Sequence, residues 1–528
     1  MTKQLSKSDT EEANRMWASA SFVGVLIIIG VPLWWKTTEV YRVALPYDKI
    51  NAFDPMSHFI SSELTVLAND DKTAQDIAEQ VEKAFEQSDV IKLKIKKQVL
   101  SNELQHILDT VADEQEALEE VGASFDTKKH NTFYLVQRKP LFEDVWVGGE
   151  RVAFFRDAKA ASSLVKALVH WIYEPSVLSG ARSETADPAR QIRFPSGPGF
   201  HVVLSVVHPK PQLMKVEFNA RDAVEDYIGS FVDEISDLHN FTLKSQWLHL
   251  LEFNFEAKEV TDATGGRHFA VRQDRLPLLL TRLEERAATH VSERPTLNLA
   301  LYIVPCEIAP LVLYDADNKR VSSPVQAFMS PKWGGVVLGS PSQLECQEKL
   351  FKPNVNLIMG TFLSQLRKLL GITDKPVVPG AHLEPLRRVT PRRWERDSLL
   401  RLRALDQLAS AQASLASLAK LLGEISNIVI NDEVGASINL AVDSIQVAGE
   451  LMKQGDLLAA HKYAQQAFLA AETAFMEPSL LALLYFPDDQ KYAIYIPLFL
   501  PIMFPVVLSL KNLILWFRGK PVLKEKTD

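Results

Sequence analysis

Two cysteines in 528 residues, Cys306 and Cys346, are too few for a disulfide framework. The fold must therefore rest on buried apolar surface, with room for one bridge whose existence the spacing does not decide. An excess of positive charge is equally lacking, since 58 Lys and Arg stand against 66 Asp and Glu, a formal net charge of −8. Phosphate backbones need Lys and Arg gathered on one face, so nucleic acid is excluded as the main partner. A glycine-rich phosphate loop, a nucleophile elbow, a zinc-binding HExxH and a CxxC pair are all missing, which leaves no cofactor or metal motif to build on.

What the sequence does contain is one long uncharged run near each end. Trp17–Trp35 is nineteen residues without a charge, about 28 Å of helix, enough to cross a hydrocarbon core. It runs into Trp34-Trp35-Lys36 rather than a small-residue cleavage site, which reads as an uncleaved anchor. Arg15 stands just before it, either touching an anionic lipid headgroup or marking the interface. Lys3, Lys7 and Arg15 on one side balance Lys36, Arg42 and Lys49 on the other, so this run does not orient itself.

The second run, Ala493–Leu510, is followed by Lys511, Arg518, Lys520, Lys524 and Lys526, against Lys491 alone just upstream. Positive charge favours the cytosolic side, so the C-terminus is expected there; two spans then return the N-terminus to the same side. The intervening chain would face the lumen of the endoplasmic reticulum. Asn240-Phe241-Thr242, the only glycosylation sequon without proline, falls in that part. Lys524 and Lys526, five and three residues from the end, match the spacing of a retrieval signal for the reticulum. Pro497, Pro501 and Pro505 recur every four residues and free carbonyls one turn earlier, at Ala493, Pro497 and Pro501. Such a stripe either docks other membrane helices or bends locally.

Between the runs the chain changes character. Candidate strands are Thr132–Val136, Val152–Arg156, His201–His208, Leu297–Val304 and Val336–Leu338; helical spacing marks Asp157–Tyr173, Ala220–His239 and Asn354–Leu370. The alternation predicts an α/β luminal domain with a mixed sheet. A segment rich in Pro and Arg reads as a surface linker. Trp394–Phe475 is Leu- and Ala-rich and predicts two or three antiparallel helices, broken near Asn431-Asp432 and Gly455-Asp456. The expected layout is cytosolic 1–16, span 17–35, luminal α/β 36–372, linker 373–393, luminal all-α 394–491, span 492–515 and cytosolic tail 516–528.

Few residues invite a chemical reading. Ser163 and Lys166 have a nucleophile-base spacing, but on a stretch with helical amphipathicity such matches arise by chance. Cys306, in Ile303-Val304-Pro305-Cys306-Glu307, suits a thiolate nucleophile or a small buried filler. Asp488-Asp489 suits acid-base or metal work, or a solvated turn at the membrane surface.

Four segments carry a resemblance. They are Val31-Pro32-Leu33-Trp34-Trp35-Lys36-Thr37-Thr38-Glu39 with Tyr41-Arg42 and Leu45-Pro46-Tyr47; Phe328 through Gly335 (FMSPKWGG); Ser417 through Ile430 (SLAKLLGEISNIVI); and Pro478 through Pro501, with its run YFPDDQKYAIYIPLFLP. Together they resemble the phosphatidylinositol-glycan class S (PIG-S) family, subunits of GPI transamidase. Residues 51–150 add little to that likeness. The resemblance implies a non-catalytic subunit supporting transfer of a preformed GPI anchor to proprotein C-termini. It also implies partners: a caspase-like class K subunit carrying the thiol, the GPI attachment subunit, and class T and class U subunits. The Asn240 sequon sits where the family tends to carry one. Three rivals remain: a GPI-anchored substrate, opposed by the basic tail after the second run; a general reticulum scaffold; and a hydrolase using Cys306 or Ser163.

Overall fold

The computed structural model describes residues 7–182, 192–195, 197, 199–253, 257–261, 266–287, 294–386, 388–425, 428–482 and 488–518. They form two compact units. One, here the anchor unit, comprises Met1–Asn51, Ser414–Asn439 and Thr473–Asp528; the other, the body, comprises Ala52–Ala413 and Leu440–Glu472.

The body holds two large mixed sheets where the sequence predicts one. The first is built from β1 (Ile60–Ala68), β2 (Ile91–Val99), β3 (Thr132–Gln137), β4 (Val145–Val147), β5 (Val152–Phe155) and β16 (Ala381–Leu383), in the order β16-β4-β5-β3-β1-β2. All neighbours are parallel except β4 and β5. β1 is central, and Ile60, Leu64, Val66, Leu67 and Ala68 are fully buried. β2 is an edge, and its exposed Lys92, Lys94, Lys96 and Lys97 blunt it against pairing with another chain. Helix Asp71–Phe85 packs on β1 and β2 through Ala74, Ile77, Ala78 and Val81. Asp70 caps it by accepting from the Thr73 amide at 2.7 Å.

The second sheet contains β6 (Gly199–His208), β8 (Asn240–His249), β11 (Thr296–Ile303), β13 (Gln326–Ser330) and β14 (Gly334–Gly339), in the order β13-β14-β11-β6-β8. Only β13 and β14 are antiparallel. Strands β6, β11 and β14 are almost entirely buried, as parallel strands covered on both faces must be. Helix Val355–Leu370 covers one face, approaching so closely that a Cβ on Gly335 would lie 1.8 Å from Gln365 Oε1. Gly334, at φ +152°, would place a Cβ 1.8 Å from the Asn298 carbonyl oxygen, so only glycine fits. The other face carries a core of Val207, Tyr302, Val304 and Leu338 beneath β9 (Lys258–Thr261), β10 (Arg267–Arg272) and β12 (Leu311–Tyr314), which form a sheet of their own. A short parallel pair, β7 (Lys215–Val216) with β15 (Leu350–Phe351), completes the strands.

Residues 373–393 include the edge strand β16. The segment is further held by Trp171 Nε1, which donates to the Pro376 carbonyl at 2.8 Å, and by Lys375, paired with Glu174 at 2.7 Å. Three helices follow, Arg393–Glu424, Asp432–Gln454 and Leu457–Phe475. Gly455, at φ +93°, ends the second, and Asp456 starts the third by accepting from the Ala459 amide at 3.1 Å.

In the anchor unit, helix Lys7–Val25 continues through a π-helical turn, Leu26–Gly30, into Val31–Thr38. Its segment Ala13–Lys36 is long and apolar enough to cross a membrane. Helix Asp488–Phe517 contains Pro497, Pro501 and Pro505, and its parts Ala493–Pro501 and Met503–Phe517 meet at a 55° bend. Prolines that remove successive amide donors account for that bend.

Candidate functional site

The residues singled out for chemistry are engaged elsewhere. Ser163 donates its hydroxyl to the Pro379 carbonyl at 3.0 Å, while Lys166 on the same helix is exposed. Cys306 is bonded to Cys346, so it has no free thiol, and the bridge that the spacing left open exists. Asp488 and Asp489 open the helix Asp488–Phe517. Among the described residues no group of three His, Cys, Asp or Glu is placed to hold a metal ion. Arg15 is exposed on helix Lys7–Val25, and Asn240 is exposed at the start of the edge strand β8. Lys524 and Lys526 lie outside the described residues.

The densest polar arrangement is one the sequence analysis missed. It is strung along the first half of helix Arg393–Glu424. Asp397 is 1% exposed and accepts from Arg151 at 2.6 and 2.8 Å, from the Asn131 amide at 3.1 Å, and lies 2.9 Å from His130 Nδ1. Burial pushes its pKa upward, but hydrogen bonds from Arg151 and His130 outweigh it and hold the carboxylate below its usual range. One turn on, Arg401 donates to Asn131 Oδ1 and the Ile172 carbonyl and stacks over Tyr173. These partners belong to the loops of the first sheet and to the helical turn Leu168–Tyr173 that follows β5.

The same helix reaches elements of the second sheet. Arg403 donates to the carbonyls of Phe194 and Leu370, both at 3.1 Å; Arg396 pairs with Glu234 and Asp237. Glu395 accepts from Arg367 at 2.8 Å and Arg392 at 2.9 Å. Fully buried Trp394 donates to the Gly148 carbonyl at 2.9 Å. One helix thus ties both sheets together by charge-assisted hydrogen bonds that would each be costly to leave unpaired. The signal available in the sequence was the run RRWERDSLLRLR, whose arginines read as solvated when their carbonyl partners are far away in the chain.

A second arrangement assembles the segments that carry the family likeness. Within the anchor unit, Ile430 and Tyr41 to Val43 exchange backbone hydrogen bonds at 3.1 Å, forming a parallel bridge. Tyr41 donates to Asp432 at 2.9 Å, and the Arg42 guanidinium donates to the Leu422 carbonyl. Asn431 donates to Ser479 at 3.2 Å. Trp34 packs edge-on against Tyr495 and Phe499, at 5.7 and 5.9 Å between ring centres. The motifs at the two ends and the one beginning at Ser417, hundreds of residues apart, therefore form a single constellation.

Comparison with known proteins addresses what that constellation belongs to. The profile of the phosphatidylinositol-glycan biosynthesis class S protein family matches residues 21–520. The chain belongs to this family. It is 31% identical over 554 residues to the GPI-anchor transamidase component PIGS of Rattus norvegicus, covering 99% of each chain. The Homo sapiens protein of that name is 31% identical over 551 residues, 98% of each. The GPI transamidase component PIG-S homolog of Schizosaccharomyces pombe is 26% identical, over 93% of this chain and 82% of that one. The family resemblance drawn from short motifs thus extends across the whole class S chain, including residues 51–150, where the motifs were thin.

Proposed function

We infer that this chain is a component of the GPI transamidase complex that performs no chemistry itself and holds its partners in position at the membrane of the endoplasmic reticulum. The observation that carries the reading is the match over 99% of this chain and 99% of the rat component. Disulfide-bonded Cys306 supports a supporting rather than a catalytic role, because a thiol engaged in a bridge is no nucleophile. The thiol that attacks the proprotein then belongs to the caspase-like class K partner; the attachment subunit and the class T and class U subunits complete the assembly. The contribution of this chain is positional, since reacting groups held in register gain rate without new chemistry.

In this reading two spans, 17–35 and 492–515, bracket a luminal body and leave both termini cytosolic. The disulfide fits an oxidising lumen. Asn240, exposed on an edge strand, is the glycosylation site. Lys524 and Lys526 serve retrieval, and Arg15 meets lipid headgroups. The test is purification in gentle detergent through a C-terminal tag, with an assay of GPI attachment in cells lacking the chain. Recovery of the class K partner and loss of attachment are expected. A chain that purifies alone, with attachment intact in its absence, overturns the reading in favour of a general scaffold.

A further inference from the structure

β2 is an edge strand nine residues long, and one side of its backbone is unclaimed. The Val90 carbonyl accepts from the Ile60 amide, and the Leu100 amide donates to the Ala68 carbonyl. In a parallel pair the amide and carbonyl of one residue point the same way, and successive residues alternate. Even-numbered residues of β2 therefore bond β1, while Leu93, Ile95 and Lys97 turn their amides and carbonyls outward. Among the described residues nothing bonds those outward groups. Such a row is a template for one further strand.

The two faces of that template differ. Lys97 donates its ammonium to Gln75, which places the odd-numbered side chains toward helix Asp71–Phe85; Lys96 pairs with Glu63 of β1 at 3.5 Å on the opposite face. On that opposite face Lys92, Lys94 and Lys96 are exposed and recur at every second residue, roughly 6.6 Å apart. Glu63 is shared with Lys129 at 3.2 Å. Among the described residues no carboxylate pairs with Lys94, or with Lys92, which lies over the Phe59 ring. On the helix side a groove of about 460 Å³ follows the strand. Half-buried Leu93 and Ile95 and buried Phe85 give it an apolar lining; Glu79, Glu82 and Glu86, set against Lys83 and Lys92, give it a charged wall. Apolar side chains gain burial there, whereas further carboxylates meet three of their own sign.

We propose that the outer edge of β2 receives an extended segment of a partner protein in which acidic residues alternate with apolar ones. The acidic residues face Lys92, Lys94 and Lys96, and the apolar ones enter the groove beside Leu93 and Ile95. The lysines that blunt this edge against a second β2 or an uncharged strand are the groups that select such a segment, since opposite charges across a strand pair attract and like charges repel. Because side chains alternate between faces, a segment whose acidic residues are bunched sets some of them against Glu79, Glu82 and Glu86. Assigning the segment to another subunit of the transamidase rests on the proposed function; the preference of the edge does not.

The test uses the full chain in a nonionic detergent and capped, fluorescent peptides as long as β2: Glu alternating with Val, Lys alternating with Val, and Glu bunched ahead of Val in the same proportions. Fluorescence anisotropy is expected to show the alternating acidic peptide binding roughly tenfold more tightly than the others, or better. Methylating its backbone nitrogens should abolish binding, because strand pairing needs those donors and charge attraction does not. Lys92→Glu combined with Lys94→Glu should reverse the preference, weakening the acidic peptide roughly tenfold and admitting the basic one. Both side chains are exposed, so the circular dichroism of that variant should match the wild type. No binding of the alternating acidic peptide at millimolar concentration, or a preference unmoved by the charge reversal, would overturn the proposal. Equal binding of the bunched or the methylated peptide would overturn it too, marking the lysines as a general anion-binding surface of the kind that lipid headgroups satisfy. Recovery of partner subunits by the wild-type chain, scored on the same preparations, tests the component reading independently.

Discussion

In the body, charged side chains go inside: Asp397, Glu395, Arg151 and Arg403 are each 1–2% exposed or less. In the anchor unit apolar ones stay outside, with Ile28 74%, Leu33 61%, Leu498 65% and Phe504 64% exposed. The first arrangement is tolerable only where every buried charge finds hydrogen-bond partners, as Asp397 does with Arg151, His130 and Asn131. The second is tolerable only where the surroundings are apolar, as lipid is. Each unit therefore holds residues that would be costly in the other's arrangement. Reversing either choice should do the most damage.

The largest effect is expected from Asp397→Ala, which leaves Arg151 and Arg401 buried beside an empty position. Removing one partner of a buried ion pair costs about 3–5 kcal/mol, enough to show as loss of protease resistance of the body. Asp397→Asn keeps the acceptor geometry and should cost less. An Ala variant as resistant as wild type would mean that the helix does not depend on this clamp. In the anchor unit the converse change is Ile28→Arg, which places a charge at the middle of segment Ala13–Lys36. Insertion should lose roughly 2.5–3.5 kcal/mol, read as a fraction of chains failing to integrate in microsomes. Unaltered integration would remove the span.

A pH series sharpens the contrast. Burial lowers the pKa of His461 from 6.5 to about 4, against a hydrogen bond to the Leu238 carbonyl that raises it, and with Arg403 adding to the depression. His239, packed beside it, is held well below 6.5 by burial and by Arg403. A depressed imidazole means that the unfolded chain binds the proton first, so stability is full above pH 6.5 and falls as pH drops from 6.5 toward 4. For His461 alone the loss approaches about 3 kcal/mol. Asp397 and Glu395, whose pKa values are depressed, extend the loss below their ordinary values of 3.8 and 4.5. Urea midpoints of the wild type should therefore fall between pH 7 and pH 5, and His461→Gln should flatten that slope. An equal slope in both would place the titration elsewhere.

The same contrast explains what the sequence disclosed. β3, β5, β6, β11 and β14 were legible because parallel strands buried on both faces are short apolar runs, and Val355–Leu370 because its apolar residues repeat at helical spacing. The separation into two sheets was not, because it depends on which strands pair rather than on what each contains. β1, β2 and helix Asp71–Phe85 were passed over, although Asp70 and the spacing of Ala74, Ile77, Ala78 and Val81 announce the helix. The clamp escaped because an arginine that donates to a carbonyl 229 residues away, as Arg401 does to Ile172, looks locally like any surface arginine.

The smallest effect, and the one that places the body, concerns Asn240. Its side chain is exposed at the first position of edge strand β8, where a glycan meets solvent and an amide replacement changes little. Asn240→Gln should leave stability within about 0.5 kcal/mol of wild type, as exposed substitutions generally do. Its readout is instead electrophoretic. A luminal body carries a glycan that glycosidase removes from the wild-type chain, and the variant runs at the deglycosylated position before any treatment. Protease added outside sealed microsomes should then spare the body, which would confine its buried charges to the lumen and its exposed apolar helices to the bilayer. A body cut by that protease, with Asn240 unmodified, would put it on the cytosolic side and remove the topological part of the proposed function, while leaving membership of the family untouched.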